Sequence, residues 1–198
     1  MSSGESDTRT RILEACRALL ESGDNGVRMA DIARRAGVSR QAVYLHFPSR
    51  ADLLVATTRH IDAINDVDAR LAASRSARTG SERLDAFIEA WGNYIPVIFG
   101  VARALIAMQD SDGAAAAAWH DRLQAVRQGC KAAVDALARD GTLAPGFTPT
   151  QATDILWTLL SVQNWRQWTA VCGWPQQAYI RNVTAIARRV LVAEAGAR

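Results

Sequence analysis

Lysine is nearly missing from this chain: of its 23 basic residues, all but Lys131 are arginine. That bias reads first as coding preference, although arginine also suits bidentate contacts. Cysteine is scarce and odd in number. Cys16, Cys130 and Cys172 lie far apart, with no C-x-x-C pair or adjacent histidine, so neither a disulfide framework nor a thiolate zinc site is expected. Cys16 follows Ile12 at helical spacing and Cys130 follows Leu123 and Val126, which marks both as small core residues. No apolar run approaches the roughly 20 residues of a bilayer span, so no membrane partner is expected. The opening "MSSGESDTRTR" lacks the cationic-then-apolar order of a secretory signal, and a cytoplasmic protein is expected.

Chemistry-bearing motifs are equally thin. His46, His60 and His120 have no H-E-x-x-H or Cys/His spacing, and neither G-x-S-x-G nor a phosphate-cradling glycine loop occurs. "WHDR" at 119–122 pairs His120 with Asp121 only in sequence, because adjacent helical residues point apart. No enzyme, catalytic residue, metal or cofactor is expected. No run alternates with strand period and no 20–50 residue repeat is visible.

What is present is helix. The 198 residues are 49% hydrophobic, enough for a real core. The net charge of +3 and pI of about 9.0 permit nucleic-acid binding without demonstrating it. Helical apolar spacing covers about 8–22, 28–35, 39–45 and 50–72, with Gly23 and Gly26 turning the chain after the first. "AASRSARTGSER" is the clearest break. A helix then starts near Ser81, where Thr79 and Glu82 fit a capping box, and Pro96 predicts a kink or fresh start. Further helices are expected at about 114–139, 149–171 and 175–194. The fold class is all-α, about nine helices.

"IARRAGVSRQAVYLHF" (32–47) has the form of two short helices joined at Gly37. Ile32, Ala33, Val38 and Val43 face inward, and Ser39 suits the N-cap of the second helix. In a major groove Arg40 can donate twice to guanine and Gln41 can pair with adenine. Tyr44, His46 and Arg50 suit phosphate oxygens. Spacing alone leaves a plain αα-hairpin as an equal reading, with Tyr44 a core-edge aromatic and His46 a cap.

The longer stretch "IARRAGVSRQAVYLHFPSRADLL" closely resembles the DNA-binding signature of the TetR family of transcriptional regulators. The matching residues are Ile32, Ala33, Ala36, Gly37, Val38, Ser39, Tyr44, His46, Phe47, Ser49, Leu53 and Leu54, and the resemblance covers about 45 residues. It implies that Ser39, Tyr44 and Arg50 contact phosphates, Arg50 standing where the family usually has Lys. Arg40 and Gln41 would face bases, with His46 near the backbone. Where the family often opens its second helix with Thr, Arg28 and Met29 stand instead. That departure puts the usual cap in doubt and makes Arg28 a candidate phosphate contact. Ala30 offers no hydrogen bond.

The resemblance further implies a helix-turn-helix DNA-binding domain at 1–50 and a helical effector-binding and dimerisation domain at 51–198. A homodimer would bind palindromic double-stranded DNA, acting as a repressor released by a small, largely apolar effector. In this family the last two helices usually pair across the dimer, which points here to Trp165, Trp168, Ile180, Val183, Ala187 and Leu191. Their stripes also suit a monomer core. Ile64, Trp91, Tyr94, Phe99, Met108 and Trp157 are the candidate effector contacts, and they equally suit solid packing. The competing reading is a non-enzymatic helical partner-binding protein with an inactive helix-turn-helix.

Overall fold

A computed structural model describes residues 3–23 and 27–193; Gly26 lies outside the described residues. The helices are α1 (Ser3–Ser22), α2 (Met29–Ala36), α3 (Arg40–His46), α4 (Arg50–Ile64), α5 (Val67–Arg70), α6 (Ala72–Ser76), α7 (Gly80–Met108), α8 (Gly113–Arg139), α9 (Pro149–Leu159), α10 (Val162–Arg166) and α11 (Gln176–Leu191). A π-helical turn, Gln167–Val171, follows α10. No strand forms among the described residues; one isolated antiparallel bridge joins Leu143 to Val192. The all-α class holds.

Two compact units divide the chain, residues 1–66 with 98–123 and residues 67–97 with 124–198. These compact units are a different division from the functional one expected at residue 50. The reason is packing: Leu53, Leu54, Thr57, Thr58 and Ile61 of α4 are buried, and the Thr57 hydroxyl donates to Leu53 O at 2.8 Å. The helix expected over 50–72 also stops early. Asn65 Nδ2 donates back to Ile61 O, and Asp66 takes φ 47°, a left-handed conformation that Asp tolerates better than most residues.

In the first unit Ile12, Leu13, Cys16 and Leu20 of α1 meet the interior together with Ile32, Val43 and Phe47. Cys16 is fully buried, and desolvation lifts its thiol to about 11 against the counteracting Thr57 hydrogen bond. In the second unit, Leu84, Ile88, Ile95, Val134, Leu137, Leu156 and Leu160 carry the core. Burial likewise raises Cys130 far above its ordinary range, so both thiols are inert packing groups, whereas Cys172 is exposed.

The capping box forms as expected. Glu82 N–H donates to Thr79 Oγ1, and Thr79 N–H donates to Glu82 Oε2. Pro96, by contrast, does not break α7. Proline lacks the N–H that would reach the carbonyl of Gly92. Gln176 replaces it: its Nε2 donates to Gly92 O at 2.8 Å, while its Oε1 accepts from Trp165 Nε1 at 2.9 Å. The helix survives because a distant side chain supplies the missing donor. At 29 residues α7 is long and apolar enough, by length and composition, to cross a membrane. Here Leu84, Ile88, Tyr94, Ile95 and Leu105 make it a core helix.

Candidate nucleic-acid interface

The turn between α2 and α3 is built by backbone chemistry. Gly37 sits at φ 65°, ψ 36° and closes α2, a conformation that glycine enters without the steric cost of a Cβ. Val38 N–H donates to Ala33 O at 3.0 Å, which fixes the exit direction. Ser39 then caps α3, its Oγ accepting from Ala42 N–H at 3.1 Å. That hydroxyl still has its own proton to give. Arg28 occupies the N-cap position of α2, with extended backbone and no side-chain cap bond, and its side chain is exposed.

Burial sorts α3 into two sides. Val43 and the following Phe47 are buried, with the Arg9 guanidinium 5.2 Å above the Phe47 ring. Arg40, Gln41, Tyr44 and Leu45 are exposed, Tyr44 at 45% and Leu45 at 80%. Positions i, i+1, i+4 and i+5 form one stripe along a helix, so cationic, amide, phenolic and aliphatic groups share one outward surface. His46 is half-buried, its ring 6.4 Å from that of Phe47. Leu45 is not among the contacts expected from the motif, although its place one turn beyond Gln41 and off the Val43–Phe47 side is readable from helical period alone.

Arg50 departs from its expected role. Its Nε donates to Val27 O at 2.5 Å, and its NH1 donates to both carboxylate oxygens of Asp112 at 2.7 and 2.5 Å. Nε and NH1 of the guanidinium are thus engaged within the protein. Asp112 also caps α8, accepting from Ala114 and Ala115 N–H at 3.0 and 3.2 Å. Desolvation pushes the Asp112 carboxyl upward, but the Arg50 hydrogen bond, the Ala115 and Ala114 amides and the Arg50 charge together hold it below the ordinary range. Two more pairs tie α4 to α8, Arg59 with Asp121 at 2.7 Å and Asp62 with Arg122. The hydrogen bond from Arg59, against partial desolvation and with help from Arg122, lowers Asp121 as well.

A pH prediction arises from these pairs. A carboxylate depressed in the folded state contributes stability that is complete above the unfolded value, near 3.9, and disappears as pH falls through the folded one. Asp112→Asn keeps an N-capping side chain but removes the charge. It is expected to cost about 1 to 3 kcal/mol at pH 7 and to flatten the acid limb below about pH 4. Thermal melts across pH 2–7 check this, and an unchanged acid limb would contradict the assigned role.

The candidate effector contacts fall in both units. In the first, Ile64 is 49% exposed, Met108 is buried and Phe99 half-buried. In the second, Tyr94 is buried and stands edge-on to Trp91, centroids 6.0 Å apart. Trp91 Nε1 donates to Leu160 O at 2.8 Å, the Arg70 guanidinium lies over Tyr94, and Arg127 lies over Trp157.

Four of the six expected dimer contacts are buried within the single chain. Val183, Ala187 and Leu191 are wholly buried within one chain and Ile180 is 7% exposed. This stripe of α11 packs into the protein's own core. Trp165 and Trp168 stay half-buried, the latter stacked on Trp174 at 5.4 Å.

The fold and the outward stripe of α3 define a helix-turn-helix DNA-binding module. The profile for bacterial regulatory proteins of the tetR family matches residues 12–57. The transcriptional repressor LfrR of Mycolicibacterium smegmatis is 29% identical over 157 residues, covering 77% of this chain and 75% of that protein. The regulator TtgR of Pseudomonas putida is 39% identical over 69 residues, 34% of this chain and 33% of its own. Among solved structures, NalD of Pseudomonas aeruginosa, secondary repressor of the MexAB-OprM multidrug efflux pump, superposes with TM-score 0.71 and 25% identity over 98% of this chain and 100% of that one. A regulator from Saccharomonospora viridis in complex with choline gives TM-score 0.73 at 20% identity over 96% and 100%. Residues 12–57 thus match the tetR-family DNA-binding segment, and along its length the chain is similar to transcriptional regulators of that family.

Proposed function

We propose that this DNA-binding regulator works as a homodimeric repressor that releases a palindromic operator when a small, largely apolar molecule binds. The observation that carries the reading is the stripe of α3, which leaves Arg40, Gln41 and Tyr44 exposed on a helix braced from behind by Val43 and Phe47. In this scheme residues 1–50 hold the DNA-reading part and 51–198 serve effector and partner. Arg40 and Gln41 read base edges. Ser39, Tyr44, Arg28 and His46 meet the phosphate backbone.

A single α3 reads few base pairs, so a two-fold pair on successive major grooves is required for useful specificity. The partner surface is the outward side of α11, including Ala185 and Ile186, the latter 36% exposed, with Trp165 and Trp168 beside it. For the effector, the candidates are Trp91, Tyr94 and Trp157 in the second unit and Ile64, Phe99 and Met108 in the first. The choline in the Saccharomonospora viridis regulator makes quaternary ammonium compounds reasonable first probes, since aromatic faces attract such cations. The protein performs no catalysis and acts in the cytoplasm.

The test is selection of random duplexes by the purified protein at one stated salt concentration. Enrichment of a palindrome with half-sites about one helical turn apart establishes the reading; salt-sensitive binding without enrichment defeats it. On the selected duplex, Arg40→Ala and Gln41→Ala are each expected to cost about 1 to 3 kcal/mol and to relax preference at particular base pairs. Equal losses on random DNA would sink those two roles.

A further inference from the structure

Leu45 is 80% exposed, the highest exposure among the large exposed apolar side chains described. It stands on the seven-residue α3, where the opposite side already buries Val43 and the next residue but one, Phe47, closes the module. Nothing in the helix's own packing calls for a leucine there. Its neighbours on the stripe are Gln41, one turn earlier on the same line, and Tyr44 beside it. Both present polar groups to a DNA surface; Leu45 can offer only apolar area.

The major groove has one apolar feature, the C5-methyl group of thymine. We propose that Leu45 reads such a methyl, and so fixes a thymine in each half-site that no hydrogen bond from α3 specifies. The inference rests on the DNA-reading role of α3. Gln41 and Leu45 are separated by four residues, about 6 Å along the helix axis, so the thymine belongs to a base pair one or two steps from the pair Gln41 reads. A partner helix seated on Leu45 is the competing occupant. The surrounding arginine, amide and phenol favour DNA, because a docking helix would have to bury those polar groups without pairing them.

Uracil differs from thymine by this methyl alone and keeps the pairing and hydrogen-bond pattern. The experiment uses the duplex enriched by random selection and replaces each thymine in turn by deoxyuridine. One position per half-site is expected to weaken wild-type binding about fourfold, the amount set by one buried methyl-sized group. In Leu45→Ala the same replacement is expected to change Kd less than about 1.5-fold, since the double-mutant cycle removes the shared contact. Thermal melting should leave Leu45→Ala within a degree or two of wild type, as exposed substitutions usually do. Insensitivity of the wild type to every deoxyuridine overturns the proposal, as does equal sensitivity in wild type and Leu45→Ala. Failure to enrich any duplex would instead overturn the DNA-reading role itself, and it shows before any uracil is made.

Discussion

Phe47→Ala is expected to remove about 3 to 5 kcal/mol of stability, the usual cost of deleting a buried aromatic ring, and with it binding to every duplex. Phe47 is 3% exposed and ends α3, its N–H donating to Val43 O at 2.9 Å. Its ring also carries the Arg9 guanidinium of α1, so the loss strips an anchor from both helices at once. Single domains hold only about 5 to 15 kcal/mol in total. The melting temperature should therefore fall on the order of 10 °C. Urea denaturation beside a binding titration checks the pair of effects. A variant that melts within about 1 kcal/mol of wild type would show that the ring is not what fixes α3.

Gly80→Ala should be comparably harmful in the second unit, for the opposite reason. A Cβ at Gly80 would lie 2.5 Å from Leu137 N, 2.6 Å from Leu137 Cα and 2.7 Å from Ala136 C. These are backbone atoms of α8, which cannot rotate away as a side-chain tip would. Gly80 N–H also donates to Asp140 Oδ2 at 2.5 Å, a bond that any retreat of α7 would stretch. Alanine's better helix propensity returns at most about 1 kcal/mol, so a net loss of about 3 kcal/mol is expected from overpacking. Gly100→Ala on the same helix is the control. There the nearest atom is Glu21 Cγ at 3.5 Å, an ordinary contact. Alanine at that position should stabilise by about 0.5 to 1 kcal/mol. Calorimetry on the two variants must give opposite signs; like signs would refute the close approach at Gly80.

Local chemistry made the DNA-reading module legible. The turn at Gly37, the cap at Ser39 and the capping box at Thr79 and Glu82 each involve atoms within a few residues, and each forms where the sequence places it. Features that depend on distant partners stayed hidden. Pro96 reads as a break because Gln176, which mends α7, lies 84 positions beyond the Gly92 carbonyl it serves. Arg50 reads as a phosphate contact because Asp112 lies 62 positions on. Two expected helices were too long. The apolar spacing through Ile61, Ile64, Val67 and Leu71 runs on past Asp66, where the backbone turns left-handed. Ser161 likewise divides 149–171 by capping a new helix, accepting from Asn164 N–H. The stripe of α11 shows a different limit. Periodicity finds an apolar side, and only the packed fold reveals that the chain itself covers it.

The outward stripe of α3 also bounds how much a genome can be searched with. From Arg40 to Leu45 the helix advances about 7.5 Å, little more than two steps of a duplex at about 3.4 Å each. Three fully specified base pairs hold about six bits, since the major groove distinguishes four pairs at each step. Two protomers of the proposed homodimer would then hold about twelve bits, enough to recur by chance roughly once in 4,000 base pairs against about a million or more competing positions. The remaining information has to come from elsewhere. In the proposed dimeric complex, sequence-dependent bending and groove width between the half-sites are an available source, so the operator's uncontacted centre would carry part of the recognition.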